Sequence, residues 1–395
     1  MNIAVFGSRG IPSTYSGYET FLTQLLPELA DRGHAVTIYC RRTDEQEGIE
    51  EHYRGVRRID LHSRETTRLS TPTHGLAAMM AILRGPRPDV VLVVNVANAV
   101  PCLVLRLAGV RSVLNTDGLE WRRGKWGPVA RWIFRSSARI ARYSSGGLVC
   151  DCNAMREIYQ CQFGADSSVI PYASPEISAR DFANLPVAAG LQTDGYILVA
   201  GRLVPENSMI EAIRAAIRAG SGLPIVVAGD ASGRSTMRDE LEAIVRSEPS
   251  VSWLGHVADR GSFLSLLANA RVYIHGHTVG GINPSLIEAM TVGARIVALD
   301  TPFNRETLFD GGDYFADPNE PLTDLLRQVV AEPRSATKAR RLRGRVIATE
   351  RFALNDVTDA YERLLSRVAA RGIFSTTTVE TLWRDDLGPC ASRSR

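Results

Sequence analysis

Two glycines followed by a helix start, in the second half of the chain, could bind a phosphate group. The segment reads Gly280-Gly281-Ile282-Asn283-Pro284-Ser285. Its glycines let the backbone approach a ligand closely, and the following residues cap and begin a helix, whose exposed amide groups attract anions. Glu288, one turn further along, could accept hydrogen bonds from the hydroxyl groups of a ribose. A capped core helix with a surface glutamate explains the same residues without a ligand.

Acidic and imidazole side chains follow two other strand-like runs. Asp117 comes after the run 112–115, and ligands of open α/β sheets gather where strands end. Asp117 or Glu120 could therefore act as a general base or orient a second substrate, although an Asp-Gly turn that caps the next helix is the alternative. His275 and His277 could hydrogen-bond a phosphate or a sugar, or be structural. The two histidines lack a third ligand, so no metal site is predicted.

Short β-branched runs alternate with helical patterns, which is typical of parallel sheets covered by helices. In the first half the predicted strands are Ile3–Phe6, Ala35–Cys40, Val90–Asn95, Ser112–Asn115, Gly147–Cys150 and Val169–Pro171. The series restarts in the second half at Tyr196–Ala200, Ile225–Ala228, Val251–Leu254, Val272–His275 and Ile296–Leu299. The fold class is therefore α/β, with two Rossmann-like units.

The length of 395 residues is too great for one ordinary core, which divides the chain into domains. We predict a first domain over 1–175 and a hinge over 176–194, where prolines and glycine interrupt the periodicity. A second domain over 195–354 and a helix over 355–372 follow. The tail, 373–395, is polar and mixed, and we expect it to be flexible.

Composition excludes some classes of function. A formal net charge of +3 argues against a dedicated nucleic-acid binder. The six cysteines form no CxxC pair, which fits a reducing cytoplasm. No apolar run approaches the ~20 residues that span a bilayer, and the first residues predict a strand rather than a signal peptide. We therefore expect a cytoplasmic protein, soluble or peripheral to a membrane.

The segment 121–142 combines basic and aromatic residues without any acidic residue. Its basic residues are Arg122, Arg123, Lys125, Arg131, Arg135, Arg139 and Arg142, and Trp121, Trp126 and Trp132 lie among them. Such a segment can lie on an anionic membrane surface, here the inner face of the cell membrane. The alternative is a solvated helix whose tryptophans pack inward.

Two Rossmann-like halves with a phosphate loop in the second resemble the GT-B glycosyltransferases, specifically the retaining family 4. The motifs 7–21 (GSRGIPSTYSGYETF) and 117–123 (DGLEWRR) are similar to those of a bacterial rhamnosyltransferase-type branch. The resemblance implies two domains that face each other across a cleft, with C-terminal helices packing back on the N-terminal domain. It also implies that the C-terminal half binds a nucleotide-sugar donor and the N-terminal half binds the acceptor.

The resemblance extends to single residues. Residues 201–206 match the family's GRLxPEK segment, which implies that Arg202 neutralises the donor diphosphate, as the bidentate donors of arginine would allow. A surface ion pair with Glu206 is the alternative role of Arg202. Asn207 stands where the family has a lysine, so one cationic contact is missing.

Several further donor contacts follow from the same resemblance. Of the family's two glutamates separated by seven residues, Glu288 matches the second, whereas Gly280 occupies the position of the first. The loss of that glutamate indicates either adaptation to a deoxy sugar or a non-catalytic copy. His256 and Val257 match the region that frames the nucleobase, and Gly10, Ser16 and Gly17 are expected in a loop that faces the donor phosphates.

The function implied is metal-independent transfer of a sugar from a dTDP- or UDP-linked donor, with rhamnose from dTDP-rhamnose favoured. The acceptor would be a saccharide or lipid-linked saccharide in bacterial polysaccharide biosynthesis, and no cofactor is expected. A catalytically silent scaffold and a nucleotide-sugar epimerase are the alternatives. The first turn, 7–10, lacks the G-x-G-x-x-G spacing, which disfavours a dinucleotide-dependent dehydrogenase.

Overall fold

The strands form two separate sheets. The computed structural model describes residues 1–12, 17–42, 50–62, 70–124, 126–175, 177, 190–231, 233 and 235–372. The first sheet contains β1 (Asn2–Phe6), β2 (Ala35–Arg41), β3 (His52–Tyr53), β4 (Val56–Leu61), β5 (Val90–Val94), β6 (Ser112–Asn115), β7 (Gly147–Cys150) and β8 (Ser168–Val169). Their order is β3-β4-β2-β1-β5-β6-β7-β8, and every pair is parallel except β3 with β4. The direction of winding reverses between β1 and β5, where open sheets of this kind bind ligands.

The second sheet is parallel throughout. It contains β9 (Ile197–Ala200), β10 (Ile225–Ala228), β11 (Val251–Trp253), β12 (Val272–His275), β13 (Ile296–Leu299) and β14 (Asp313–Phe315). Their order is β11-β10-β9-β12-β13-β14, so the winding reverses between β9 and β12. The central strands of both sheets are buried along their whole length, because helices cover both faces.

Helices follow most strands. Those of the first domain are α1 (Gly17–Asp31), α2 (Ser70–Arg84), α3 (Ala99–Leu107), α4 (Pro128–Ser144) and α5 (Asn153–Phe163). The later ones are α6 (Met209–Ala219), α7 (Thr236–Ser247), α8 (Arg260–Asn269), α9 (Pro284–Thr291), α10 (Pro302–Leu308), α11 (Glu320–Ala331), α12 (Arg334–Arg351) and α13 (Leu354–Ala370). Within the described residues, none of the helices is long and apolar enough to cross a membrane.

The last helix, α13, returns to the first domain. The ring of Tyr361 lies 5.9 Å from that of Phe21 in α1, and its hydroxyl accepts a hydrogen bond from Asn115 at 2.8 Å. Val368 packs against Gly146, where a Cβ atom would lie only 2.9 Å from the valine Cγ1. The prediction of two Rossmann-like domains is therefore confirmed, and of the C-terminal helices that we expected on the first domain, α13 packs there whereas α12 packs against α9 of the second domain.

Within the part of the chain that the structure describes, three strands are not predicted by the sequence pattern, namely β3, β4 and β14. In β4, Arg58 is only 3% exposed, and its guanidinium donates to the carbonyl of Glu50 at 2.8 Å and pairs with the carboxylate of Asp60 at 3.3 Å. A run with two adjacent arginines and an aspartate does not resemble a buried parallel strand. The predicted strand Val169–Pro171 is instead Ser168–Val169, since proline has no amide hydrogen for the ladder. Most of the predicted hinge, 176–194, and the whole tail, 373–395, lie outside the described residues.

Candidate active site between the two domains

The helix start predicted at 280–285 is formed by α9. Asn283 is the N-cap, and its side-chain oxygen accepts hydrogen bonds from the Ser285 amide at 3.1 Å and the Ser285 hydroxyl at 2.9 Å. Pro284 occupies the first helical turn, where its missing amide hydrogen costs nothing. Gly280 and Gly281 have φ angles of 92° and 67°, which favour glycine. The local structure thus agrees with the sequence prediction.

This glycine loop lies directly against the first domain. A Cβ atom on Gly280 would be 3.0 Å from the backbone nitrogen of Leu119, and a Cβ atom on Gly17 would be 2.6 Å from Pro284. The start of α1 and the turn after β6 therefore meet the start of α9 across the domain boundary. Ser16, which we expected beside Gly17, lies outside the described residues.

One amide of the loop is occupied by a carboxylate from the other domain. The amide of Ile282 donates to Asp151 Oδ2 at 2.8 Å, in a buried position. Our expectation that all amides at this helix start would be exposed is therefore wrong for Ile282. Among the described residues, the amides of Gly280, Gly281 and Asn283 have no protein acceptor, although Gly281 is buried.

Sequence reasoning missed Asp151. The residue directly follows β7, so its position at the carboxyl end of a buried strand was the available signal. It is 3% exposed. The pKa of Asp151 is raised to about 7, chiefly by burial and also by the carboxyls of Asp117 and Glu306, against the lowering effect of the Cys152 thiol and the Ile282 amide.

Asp117 lies in the turn after β6, with a φ angle of 58°. Its carboxylate accepts a hydrogen bond from Asn95 Nδ2 at 3.0 Å, and its amide donates to Asn115 Oδ1 at 2.8 Å. Burial raises the pKa of Asp117 to about 6, Arg123 lowers it, and Glu120 raises it. Asp117 is thus a carboxyl group in the cleft that titrates close to neutral pH.

Glu120 is engaged by its neighbours. One oxygen binds Arg123 Nε at 2.9 Å, and the other accepts a hydrogen bond from Trp126 Nε1 at 2.8 Å. The residue is 5% exposed. Trp121, the next residue in the chain, is buried in the core with 8% of its surface exposed. This geometry favours a role for Glu120 in holding the turn rather than in proton transfer.

Arg202 is exposed and follows β9, beside the point where the second sheet reverses. Glu206 is engaged elsewhere, because its carboxylate accepts the amide of Gly124 in the first domain at 2.5 Å. The guanidinium of Arg202 is therefore available to an anionic ligand. Its positive charge also lowers the pKa of His277.

Asn207, in place of the family's lysine, links Arg202 to His277. Its Nδ2 donates to the carbonyl of Arg202 at 2.7 Å, so its Oδ1 faces His277 Nδ1 at 2.7 Å. The pKa of His277 is lowered to about 3, chiefly by burial and also by the charges of Arg123 and Arg202. The ring is thus neutral, the proton is assigned to Nδ1 from the hydrogen bonds, and Nε2 is an acceptor.

His275 has a different environment. It is 3% exposed, and its Nδ1 lies 2.9 Å from the hydroxyl of Tyr273. The pKa of His275 is lowered to about 3, chiefly by burial and also by His277. These contacts favour a structural role for His275 below the cleft.

Glu288 forms an ion pair with Arg260 of α8, through Oε1 at 2.9 Å. It is 9% exposed, and burial raises its pKa while Arg260 lowers it. The pair fixes the carboxylate and leaves Oε2 as an acceptor for a hydroxyl group. Such anchoring is what a ribose-binding carboxylate would need.

The remaining predicted donor residues are more dispersed. His256 is exposed and Val257 is partly buried, in the segment after β11. Gly10 packs within the first domain, where a Cβ atom would lie 2.6 Å from Cys40 Sγ. Packing against Cys40, together with a φ angle of 126°, explains glycine at position 10 without a ligand.

Two family models match the chain. Residues 16–173 match the glycosyl transferase 4-like domain, and residues 183–344 match the glycosyl transferases group 1. No curated protein sequence matches the chain significantly.

Solved structures share the architecture. Sucrose-phosphate synthase from Thermosynechococcus elongatus is 16% identical with a TM-score of 0.77, covering 93% of this chain and 99% of its own. HepE from Anabaena in complex with UDP is 18% identical with a TM-score of 0.72, covering 93% and 100%. The catalytic domain of starch synthase IV from Arabidopsis thaliana, bound to ADP and acarbose, is 13% identical with a TM-score of 0.72, covering 94% and 99%. With one glycosyltransferase domain model matched by each half, and this two-domain architecture, the chain belongs to the glycosyltransferases of the GT-B fold.

Proposed function

We propose that the protein transfers a sugar from a nucleotide-sugar donor to an acceptor held by the first domain. The observation that carries this proposal is the start of α9, which brings three amides without protein acceptors to the domain boundary in the described structure. Loss of a nucleoside diphosphate places negative charge on phosphate, and fixed amide dipoles stabilise that charge. Structural neighbours with UDP, UDP-glucose or ADP bound support a nucleotide-linked donor.

The donor contacts divide among four residues. Arg202 binds the diphosphate, because its exposed guanidinium offers bidentate donors to phosphate oxygens. Glu288 accepts the ribose hydroxyls through Oε2, since Oε1 is held by Arg260. His277 accepts a hydroxyl of the transferred sugar through Nε2, and Asn207 fixes the ring that does so.

On the acceptor side, Asp117 binds the incoming hydroxyl group. A bond forms between the acceptor oxygen and the anomeric carbon, the bond from that carbon to the diphosphate oxygen breaks, and Asp117 takes up the hydroxyl proton. A carboxyl pKa near 6 suits a base that is ionised at neutral pH. The resemblance to family 4 supports retention of configuration and a mechanism without a metal ion.

The transferred sugar is proposed to be rhamnose from dTDP-rhamnose, on a saccharide or lipid-linked saccharide of bacterial polysaccharide biosynthesis. The motifs at 7–21 and 117–123 support this choice. Gly280 also supports it, because a larger residue would press on the backbone of Leu119 and no carboxylate is available there for a sugar hydroxyl. A deoxy sugar presents a different hydroxyl pattern to this position.

Nucleotide binding and turnover test the proposal. We expect one nucleoside diphosphate among dTDP, UDP, ADP and GDP to raise the melting temperature, because a ligand that binds only the folded state stabilises it. The matching nucleotide sugar should then release diphosphate only with an acceptor present. Binding without turnover would indicate a silent scaffold, and conversion of donor without acceptor would indicate an epimerase. Failure of all four nucleotides to bind would refute a nucleotide-sugar enzyme.

The Glu288→Gln variant should bind the preferred nucleotide about 10- to 150-fold more weakly, since a charged hydrogen bond contributes about 1.5–3 kcal/mol. Isothermal titration calorimetry measures the change. Glu320→Gln is the matched control, because Glu320 is exposed on α11 with its carboxylate 3.7 Å from Arg218. Equal affinities of Glu288→Gln and the control would remove Glu288 from the donor site.

The first domain is proposed to contact the inner face of the cell membrane through α4. Val129, Trp132 and Ile133 are 73%, 67% and 51% exposed on this helix, beside the exposed arginines 131, 135 and 139. Exposed apolar side chains continue on the neighbouring helices, at Leu76, Met80 and Leu83 of α2 and at Val100, Val104 and Leu107 of α3. Exposed apolar groups beside arginines suit an anionic lipid surface. A lipid-linked acceptor would lie at the same membrane surface.

Reversing the charge of Arg131, Arg135 and Arg139 to glutamate should weaken binding to phosphatidylglycerol vesicles by about 100-fold, at about 1 kcal/mol per basic residue. Co-sedimentation with these vesicles and with phosphatidylcholine vesicles measures it. The control reverses Arg246, Arg334 and Lys338, which are exposed on α7 and α12 and change the net charge equally. Equal losses in both variants, or no vesicle binding by the unmodified protein, would contradict membrane contact through α4.

A further inference from the structure

Each domain places a carboxylate on a helix start of the other. Asp151 of the first domain accepts the Ile282 amide at the start of α9. Glu306 in α10 of the second domain accepts the Asn153 amide at 2.6 Å and the Ala154 amide at 3.0 Å, at the start of α5. The two contacts are chemically alike, because in both a carboxylate neutralises exposed amides. The two contacts differ in location, because the Asp151 contact lies at the proposed phosphate site of α9 and the Glu306 contact does not.

The environment of Asp151 shows how closely its carboxylate is fitted to α9. The residue is 3% exposed, and Oδ1 has no hydrogen-bond partner among the described residues while Oδ2 holds Ile282. A Cβ atom on Gly281 would overlap this carboxylate. Glycine at 281 therefore admits Asp151 to the loop, and a carboxylate there occupies an amide that a phosphate would also seek.

We propose that the Asp151 carboxyl group occupies part of the phosphate site of α9, at the Ile282 amide, when the donor is absent, and that the donor diphosphate must displace it. The inference rests on the proposed function, because it takes α9 as the diphosphate site. A nucleotide then binds only the fraction of molecules in which Asp151 has left Ile282, so its apparent affinity is reduced by that fraction. The return of Asp151 after transfer helps expel the nucleoside diphosphate.

Calorimetric titration of the full chain with dTDP, UDP, ADP and GDP tests this role. Asp151→Ala should bind the preferred nucleotide about tenfold more tightly than the unmodified protein. Asp151→Asn, which keeps the side-chain volume and an oxygen acceptor, should also bind it more tightly because it carries no charge. The Asp151→Asn variant provides the test if Asp151→Ala fails to fold. Glu306→Ala is the matched control, because it removes another carboxylate contact between the domains, at the start of α5, and involves no residue of α9.

Unchanged or weaker nucleotide affinity in the Asp151 variants, with normal binding by the unmodified protein, would overturn the inference and leave the proposed function intact. Equal tightening by Glu306→Ala would also overturn it, since loosening of the domains would then be the cause. Absence of nucleotide binding in every one of these proteins would instead overturn the proposed function, and the inference with it. Nucleotide binding by the Asp151 variants, with none detected for the unmodified protein or Glu306→Ala, would support both the inference and the proposed function.

Discussion

Replacing Asp117 by asparagine is expected to lower kcat by about 10²- to 10⁴-fold, the usual contribution of a general base. Asparagine tolerates the φ angle of 58° and can still accept the hydrogen bond from Asn95, so the turn after β6 should keep its shape. Only the capacity to take a proton is lost. Steady-state kinetics with saturating donor and acceptor measure the change, and the melting temperature should stay the same.

The pH profile separates this role from a structural one. Because burial raises the pKa of Asp117 to about 6 and the base must be ionised, kcat/KM should fall as pH falls through 6 and be constant above it. The asparagine variant should lack this acid limb. Asp324→Asn, on the exposed surface of α11, is the control. Full activity of Asp117→Asn, or an unchanged acid limb, would exclude Asp117 as the base.

Arg202→Ala is expected to lower kcat by about 10²- to 10³-fold, the loss seen when one donor to a developing anion is removed. The guanidinium of Arg202 is exposed beside the reversal point of the second sheet, where charge accumulates on the departing diphosphate in our proposal. Arg202→Lys should recover part of the rate, because lysine keeps the charge but not the bidentate geometry.

Single-turnover kinetics with the nucleotide sugar identify this effect as one on bond cleavage. Arg246→Ala is the matched control, since Arg246 is an exposed arginine in the last turn of α7. A variant at position 202 that turns over at the rate of the control would show that the diphosphate is neutralised elsewhere. Arg123 of the first domain would then be the next candidate, because its charge also acts on His277.

Two departures from the family pattern acquire a physical explanation in the structure. Gly280 lies against the backbone of Leu119, so a glutamate would not fit while the domains are in contact. Asn207 does not replace the charge of the missing lysine, but its amide fixes the tautomer of His277. Both observations favour an altered donor site over a degenerate one, and turnover with nucleotide sugars decides between them.

The unpredicted strands mark the limit of pattern-based prediction. β4 carries two adjacent arginines, and the buried guanidinium of Arg58 has acceptors at the carbonyl of Glu50 and the carboxylate of Asp60. A sequence pattern shows that Arg58 is charged, but it does not show which acceptors the fold places beside the guanidinium. The fully apolar strands, such as β10 and β13, need no such partner, and their bounds agree with the prediction.

The sequence alone determined the two parallel sheets, the cap of Asn283 on α9 and the glycines before it, because periodicity, capping and backbone freedom depend on residues a few positions apart. Only the tertiary structure decided that Asp151 reaches Ile282, that Glu306 reaches α5, and that Gly280 touches the turn of Asp117. These contacts join residues more than a hundred positions apart, and they exist only at one relative orientation of the two domains. No local pattern encodes that orientation.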